Sequence, residues 1–64
     1  MQNATVKFTQ LQVQMLQEYY THGVAYVEEQ MANGVEYLDA QEDWCVSHDY
    51  EHEELQEALD MYNA

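Results

Sequence analysis

A chain of 64 residues with thirteen Asp and Glu, one cation and a formal net charge of -12 is too short for a second domain or a deep enzymatic cleft, because a domain of this size buries only about 60% of the surface its unfolded chain exposes. The same charge excludes bare nucleic acid and anionic lipid as partners, since both are held through Lys and Arg, and it leaves basic surfaces as the natural ones. Apolar residues at 47% argue against the disorder that net charge alone would bring, and the single cysteine, Cys45, closes no disulfide within the chain.

From the N-terminus, Met1 to Lys7 lacks the basic stretch and apolar run of a secretory leader, and no segment is long enough to span a bilayer, so a cytoplasmic protein is expected. A short strand at Thr5 to Phe8 is conceivable from composition but lacks a pairing partner. With no proline, two glycines and abundant Gln, Glu, Leu, Met and Ala, local preference is helical. The first helix is expected to start at Thr9, because Thr9-Gln10-Leu11-Gln12 fits a capping box, with Phe8 and Val13 at the positions of a hydrophobic staple.

Leu11, Met15, Leu16, Tyr19, Tyr20, Val24, Val27 and Met31 then recur at spacings of three and four and predict one apolar stripe on a long amphipathic helix. Asn33-Gly34 ends it, Gly34 being free to take the left-handed conformation. Thr21-His22-Gly23 interrupts the pattern. An interior glycine costs about 1 kcal/mol against alanine, so Gly23 marks either a kink or a close backbone approach, the latter being what a helical dimer would produce.

A second, shorter helix is expected over residues 36 to 46, with Asp39 and Glu42 resembling a charged capping box. A turn at Ser47-His48-Asp49 follows, with Asp49 as cap, and Leu55, Ala58, Leu59 and Tyr62 set the inner face of a last helix. The expected architecture is all-α: residues 1–64 form one small acidic domain of two or three helices with a long first helix, and a homodimer is one way to stabilise it.

The charge is unevenly placed. No acidic residue precedes Glu18, whereas ten lie between Val35 and the C-terminus. On a helix Glu36, Asp39 and Asp43 form a row with Glu42 beside it, and Glu53, Glu54, Glu57 and Asp60 form another. Glu28 and Glu29 add a cluster late in the first helix. Thirty residues of helix extend about 45 Å at 1.5 Å per residue, so ten acids give one charge per roughly 4.5 Å, close to the phosphate every 3.4 Å or so along one strand of duplex DNA. Solubility needs only a net charge of magnitude about 2 to 8 with both signs mixed. Near absence of cations is left unexplained by solubility alone, and electrostatic recognition of a basic surface accounts for it.

In size, acidity, lack of cations and helical bias the whole chain resembles the small phage-encoded DNA-mimic inhibitors that act on restriction enzymes, CRISPR effectors, gyrase and nucleases. That class is convergent, so the resemblance implies a mode of action and carries over no residue by alignment. It implies steric and electrostatic occupation of a DNA-binding channel on a bacterial host protein. Glu36, Asp39, Glu42, Asp43, Glu53, Glu54, Glu57 and Asp60 are the carboxylates expected to stand in for phosphates, and Tyr20, Tyr37, Tyr50 and Tyr62 the aromatics expected at the interface. Tyr19 or Tyr26 is expected in the core.

Other patterns are weaker. His48-Asp49-Tyr50-Glu51-His52 fits the H-x-x-E-H string of one class of zinc peptidases, but no distant third ligand or cleft accompanies it, and surface histidines are the expectation. The acids follow helical rows and lack the alternating ligands and central glycine of a calcium loop. Cys45 has no cation nearby to activate it and reads as a packed thiol. No catalytic residue, metal or cofactor is expected. The competing reading is a small interaction module or transcription regulator that binds a protein partner through an apolar helix face, on which Leu11, Leu16 or Val27 would carry binding.

Overall fold

The computed structural model describes residues 8–64; Lys7 and most of the segment considered as a strand, Thr5 to Lys7, lie outside the described residues, and Phe8 belongs to no regular element. Helix α1 (Gln10–Glu18) runs through a π-helical turn (Tyr19–Gly23) into α2 (Val24–Ala32), making one rod; α3 (Tyr37–Ser47) and α4 (His52–Asn63) follow. α2 packs chiefly on α3, and α4 on α1 and α3.

Local chemistry sets the ends of these helices. At the start of α1 the Gln12 amide donates to Thr9 Oγ1 and the Thr9 amide donates to Gln12 Oε1, both at 3.0 Å, so the expected capping box is complete. Phe8 and Val13 line the same shallow surface, with Val13 exposed. At the far end of the rod Gly34 has φ +95°. The Val35 amide donates to Gln30 O and the Gly34 amide to Met31 O, each at 3.0 Å, which is a Schellman ending. α3 closes the same way, with Tyr50 N–H to Cys45 O at 2.8 Å and Asp49 N–H to Val46 O at 3.2 Å.

Asp49 therefore ends α3 in the left-handed region at φ 61° and does not cap the last helix, whose N-cap is Glu51. The second helix spans 37–47, one residue later at each end than the expected 36–46, with Glu36 as an N-cap lacking a side-chain bond. The charged capping box of Asp39 and Glu42 does not form. Asp39 falls in the first turn, where the helix dipole already favours it.

The π turn explains the interruption at Thr21-His22-Gly23. The Val24 amide donates to Tyr19 O, five residues back, and Thr21 Oγ1 bonds Gln17 O at 2.7 Å. Tyr19, Gly23 and Val27 are all buried at spacings of four, a period that drifts by about 40° per step on a straight α-helix. The wider turn takes up part of this drift and keeps all three facing α3. A methyl group at Gly23 would run into the Tyr19 ring and come within 3.0 Å of Trp44. The close approach at Gly23 is thus made by two side chains of the same chain and not by another backbone.

The core gathers Met15, Tyr19, Val27, Ala40, Trp44, Cys45 and Leu55, with Tyr26 half-buried against it. Trp44 is its centre, edge-on to Tyr19 at 5.3 Å and stacked on His48 at 4.4 Å. The apolar stripe of the long helix divides: Met15, Leu16, Tyr19 and Val27 are inside, while Leu11, Tyr20 and Met31 are exposed. On α4, Leu55 and Ala58 are inside and Leu59 packs at the margin, but Tyr62 is 60% exposed and leaves the inner face.

Candidate functional site

The carboxylates occupy the outer sides of α3 and α4. On α3 the core takes Ala40, Gln41, Trp44 and Cys45, which leaves Asp39, Glu42 and Asp43 on the opposite side, with Glu36 just before the helix; all four are exposed. On α4, Glu53, Glu57 and Asp60 are exposed opposite Leu55 and Ala58, whereas Glu54 is half-buried on the flank. Glu42 and Glu53 meet around a shallow depression between α3 and α4 that Glu51 and Val46 also line. Asp60 faces another way, toward Glu28 across a groove. Glu36, Asp39, Asp43 and Glu57 border neither depression.

Part of this charge has a local structural role. Asp39, Glu53 and Glu54 lie in first turns, where a carboxylate gains about 0.3–1 kcal/mol from the helix dipole. Asp43, Glu57 and Asp60 have no such support, and no basic residue occupies the last turn of either helix. Five like-charged pairs stand three or four residues apart within these helices, each costing about 0.2–0.5 kcal/mol. Among the described residues only Glu18 has its carboxylate in a hydrogen bond, accepting from the Tyr50 hydroxyl at 2.7 Å.

That bond helps position Tyr50. Its ring is half-buried beside Trp44 and His48, its hydroxyl accepts from Gln14 Nε2 at 3.2 Å, and burial together with the Glu18 carboxylate pushes its pKa upward. It ties α1 to the α3–α4 turn, and the half-buried ring also borders the depression that Glu42, Glu51 and Glu53 line. Tyr20, Tyr37 and Tyr62 are exposed, with the Tyr20 and Tyr62 rings 5.6 Å apart.

Tyr20 and Tyr37 border a groove of about 700 Å³ that opens between α2 and α4. Beneath it Gln41, 1% exposed, joins three elements. Its Nε2 donates to the Tyr19 hydroxyl at 3.0 Å and the Tyr37 hydroxyl at 2.9 Å, and its Oε1 accepts from His52 Nε2 at 2.7 Å. The sequence marks neither the groove nor this hub; the one signal is a glutamine between Ala40 and Trp44 on the apolar side of α3.

The histidines of the H-x-x-E-H string are not one turn apart on a helix. His48 is the C-cap of α3 and His52 opens α4. His48 Nδ1 bonds Trp44 O at 2.9 Å while its ring stacks on the indole, and His52 Nε2 is engaged by Gln41. Cys45 is fully buried, and burial with the nearby Glu42 charge raises its pKa from the usual 9.0 to about 11, so it is a packed thiol.

No helix among the described residues is long and apolar enough to cross a membrane. Compared with known proteins, the chain matches no protein-family model, no curated protein and no solved structure.

Proposed function

We propose that this chain is a DNA-mimic inhibitor, of the phage-encoded kind, that occupies the positively charged DNA-binding surface of a bacterial DNA-processing protein of the restriction, CRISPR, gyrase or nuclease type. The carboxylates on the outer sides of α3 and α4 take the place of phosphates, and the packed inner sides hold them on a rigid support. One observation carries the reading: of the ten acidic residues between Val35 and the C-terminus, seven lie on two helices that pack on each other and three on the segments that lead into them, and residues 8–64 contain no Lys or Arg to neutralise them. A cationic channel attracts such a surface as it attracts the phosphates of DNA, and both contacts weaken as salt rises. Under this reading the chain has no catalytic role, needs no cofactor, and works in the host cytoplasm.

Proteins retained from bacterial lysate at low salt test this. Known DNA-binding proteins that leave the chain when excess duplex DNA is added support the proposal, and a retained set indifferent to duplex refutes it.

The competing reading, an interaction module gripping its partner through an apolar face, changes its residues. Leu16 and Val27 are 8% and 2% exposed and belong to the core, whereas Leu11 is 49% exposed, so apolar recognition would use Leu11 or the groove between α2 and α4.

A further inference from the structure

The groove is built like a vacant helix position. α2 presents Val24, Val27, Glu28 and Met31 to it. α4 presents Gln56, Leu59, Asp60 and Asn63. Each set follows i, i+3, i+4, i+7, the ridge a helix offers to another helix lying along it. Because α2 packs chiefly on α3 and α4 on α1 and α3, the chain's own helices leave the space between α2 and α4 unfilled. The π turn places Tyr20 at one edge, Tyr37 supplies a second ring, and Met31, 46% exposed, an apolar ledge. Each wall carries one carboxylate, Glu28 on α2 and Asp60 on α4, both exposed.

We infer that this groove receives an amphipathic basic helix of the protein partner. Its apolar side chains seat on Val24, Met31 and Leu59, and its flanking Arg or Lys side chains reach Glu28 and Asp60 and lie over the Tyr20 and Tyr37 rings. The inference rests on the reading of the partner as a basic protein and adds a shape-specific anchor to it. Charge selects this occupant over a second copy: the chain carries net charge -12 and its only cation is Lys7, so a copy in the groove would set like charges against Glu28 and Asp60.

The test titrates the full chain with a synthetic helical peptide of about 14 residues, four turns at 3.6 residues each, carrying Leu on one face and Arg on its flanks. A scrambled peptide of the same composition is the control, and the observables are calorimetry and amide chemical shifts. The patterned peptide is expected to bind about tenfold or more tighter than the scrambled one, with shifts at α2 and α4, and Met31→Ala or the pair Glu28→Gln and Asp60→Asn to weaken it by about tenfold. Circular dichroism checks that each variant is folded. Equal affinity for both peptides, or indifference to the groove variants, overturns the inference. So does a sedimenting dimer that Met31→Ala dissolves, because the groove then belongs to a second copy. Glu53→Gln with Glu57→Gln separates the two proposals: this pair should spare peptide binding and impair competition with DNA. Loss of DNA competition alone indicts the groove inference no further, and loss of groove binding alone leaves the phosphate mimicry standing.

Discussion

The side-chain amide of Gln41 donates to the hydroxyl of Tyr19 at 3.0 Å from the inner side of α3 to the π turn of the long helix. Both groups are buried, and desolvation raises the Tyr19 pKa from 10.0 to about 12. In a protein without Lys or Arg in residues 8–64, such neutral hydrogen bonds take the place that ion pairs fill elsewhere. Gln41→Leu fills similar volume but leaves the Tyr19 and Tyr37 hydroxyls and His52 Nε2 without their partner. Of the three, only Tyr19 is buried, Tyr37 being exposed and His52 half-buried; an unsatisfied buried group costs about 1–3 kcal/mol, so urea unfolding should show a loss of that order. An unchanged midpoint would mean that the hub adds nothing to stability.

Gly23→Ala sets two effects against each other. Helix propensity favours alanine by about 1 kcal/mol, but the added methyl meets the Tyr19 ring and stands 3.0 Å from Trp44. Overpacking a filled core costs about 1–3 kcal/mol. The variant is expected to melt at lower temperature. A higher melting temperature would show that the two rings move aside freely.

Asp49 gives the opposite sign. It holds φ 61° at the C-terminal end of α3, a conformation that costs a residue with a Cβ about 1–2 kcal/mol, less for Asp than for most, and its charge opposes the helix dipole there. Asp49→Gly should raise stability by about 0.5–1 kcal/mol, measured by urea unfolding. Asp49→Ala, which keeps the strain, should not.

The helix ends were legible in the sequence where the determinants are local. Thr9 with Gln12 and Gly34 after Asn33 act within a few residues, and their structural roles match the expectation. Asp49, expected to cap the last helix, ends α3 instead, because a residue between two helices serves either as an ending or as a cap, and its backbone bond to Val46 O decides which. Tyr50 is legible only as an aromatic among acids; the partners of its hydroxyl, Glu18 and Gln14, lie 32 and 36 residues away. The interruption at Gly23 was visible, but its form follows from the Trp44 ring on α3. The outward acids were readable from helical spacing, while the groove, which needs the relative placement of α2 and α4, was not.

Alkaline pH should unfold the protein through Cys45 and Tyr19. Their folded pKa values, about 11 and about 12, lie above the usual 9.0 and 10.0. The unfolded state therefore loses its protons first, and stability that is complete below about pH 9 falls as pH rises through 11 for Cys45 and 12 for Tyr19. Cys45→Ala should flatten the 9 to 11 part of a stability-against-pH curve. Native protein at pH 8 should also resist thiol alkylation until denaturant is added. Rapid alkylation without denaturant would place Cys45 outside the core.

Salt should stabilise the fold. Five like-charged pairs within α3 and α4 cost about 1–2.5 kcal/mol together, and with no Lys or Arg in residues 8–64 few attractive pairs stand to be screened. Raising NaCl from about 0.1 to 1 M shortens the screening length from about 10 to 3 Å. Relief of about 1 kcal/mol would appear as a rise of about 4–8 °C in melting temperature. A fall would indicate attractive pairs that outweigh the repulsion.

The central claim is that carboxylates on α3 and α4 substitute for phosphates, and displacement of labelled duplex DNA from a purified protein retained by the chain tests it most directly. Wild-type chain is predicted to displace the duplex at low salt, with affinity falling steeply as NaCl rises, and the variant Glu42→Gln, Asp43→Asn, Glu53→Gln and Glu57→Gln, still folded and melting higher, is predicted to lose displacement by about a thousandfold, at about 1 kcal/mol per removed contact. Displacement by that variant equal to wild type, or wild-type displacement indifferent to salt, would contradict the account.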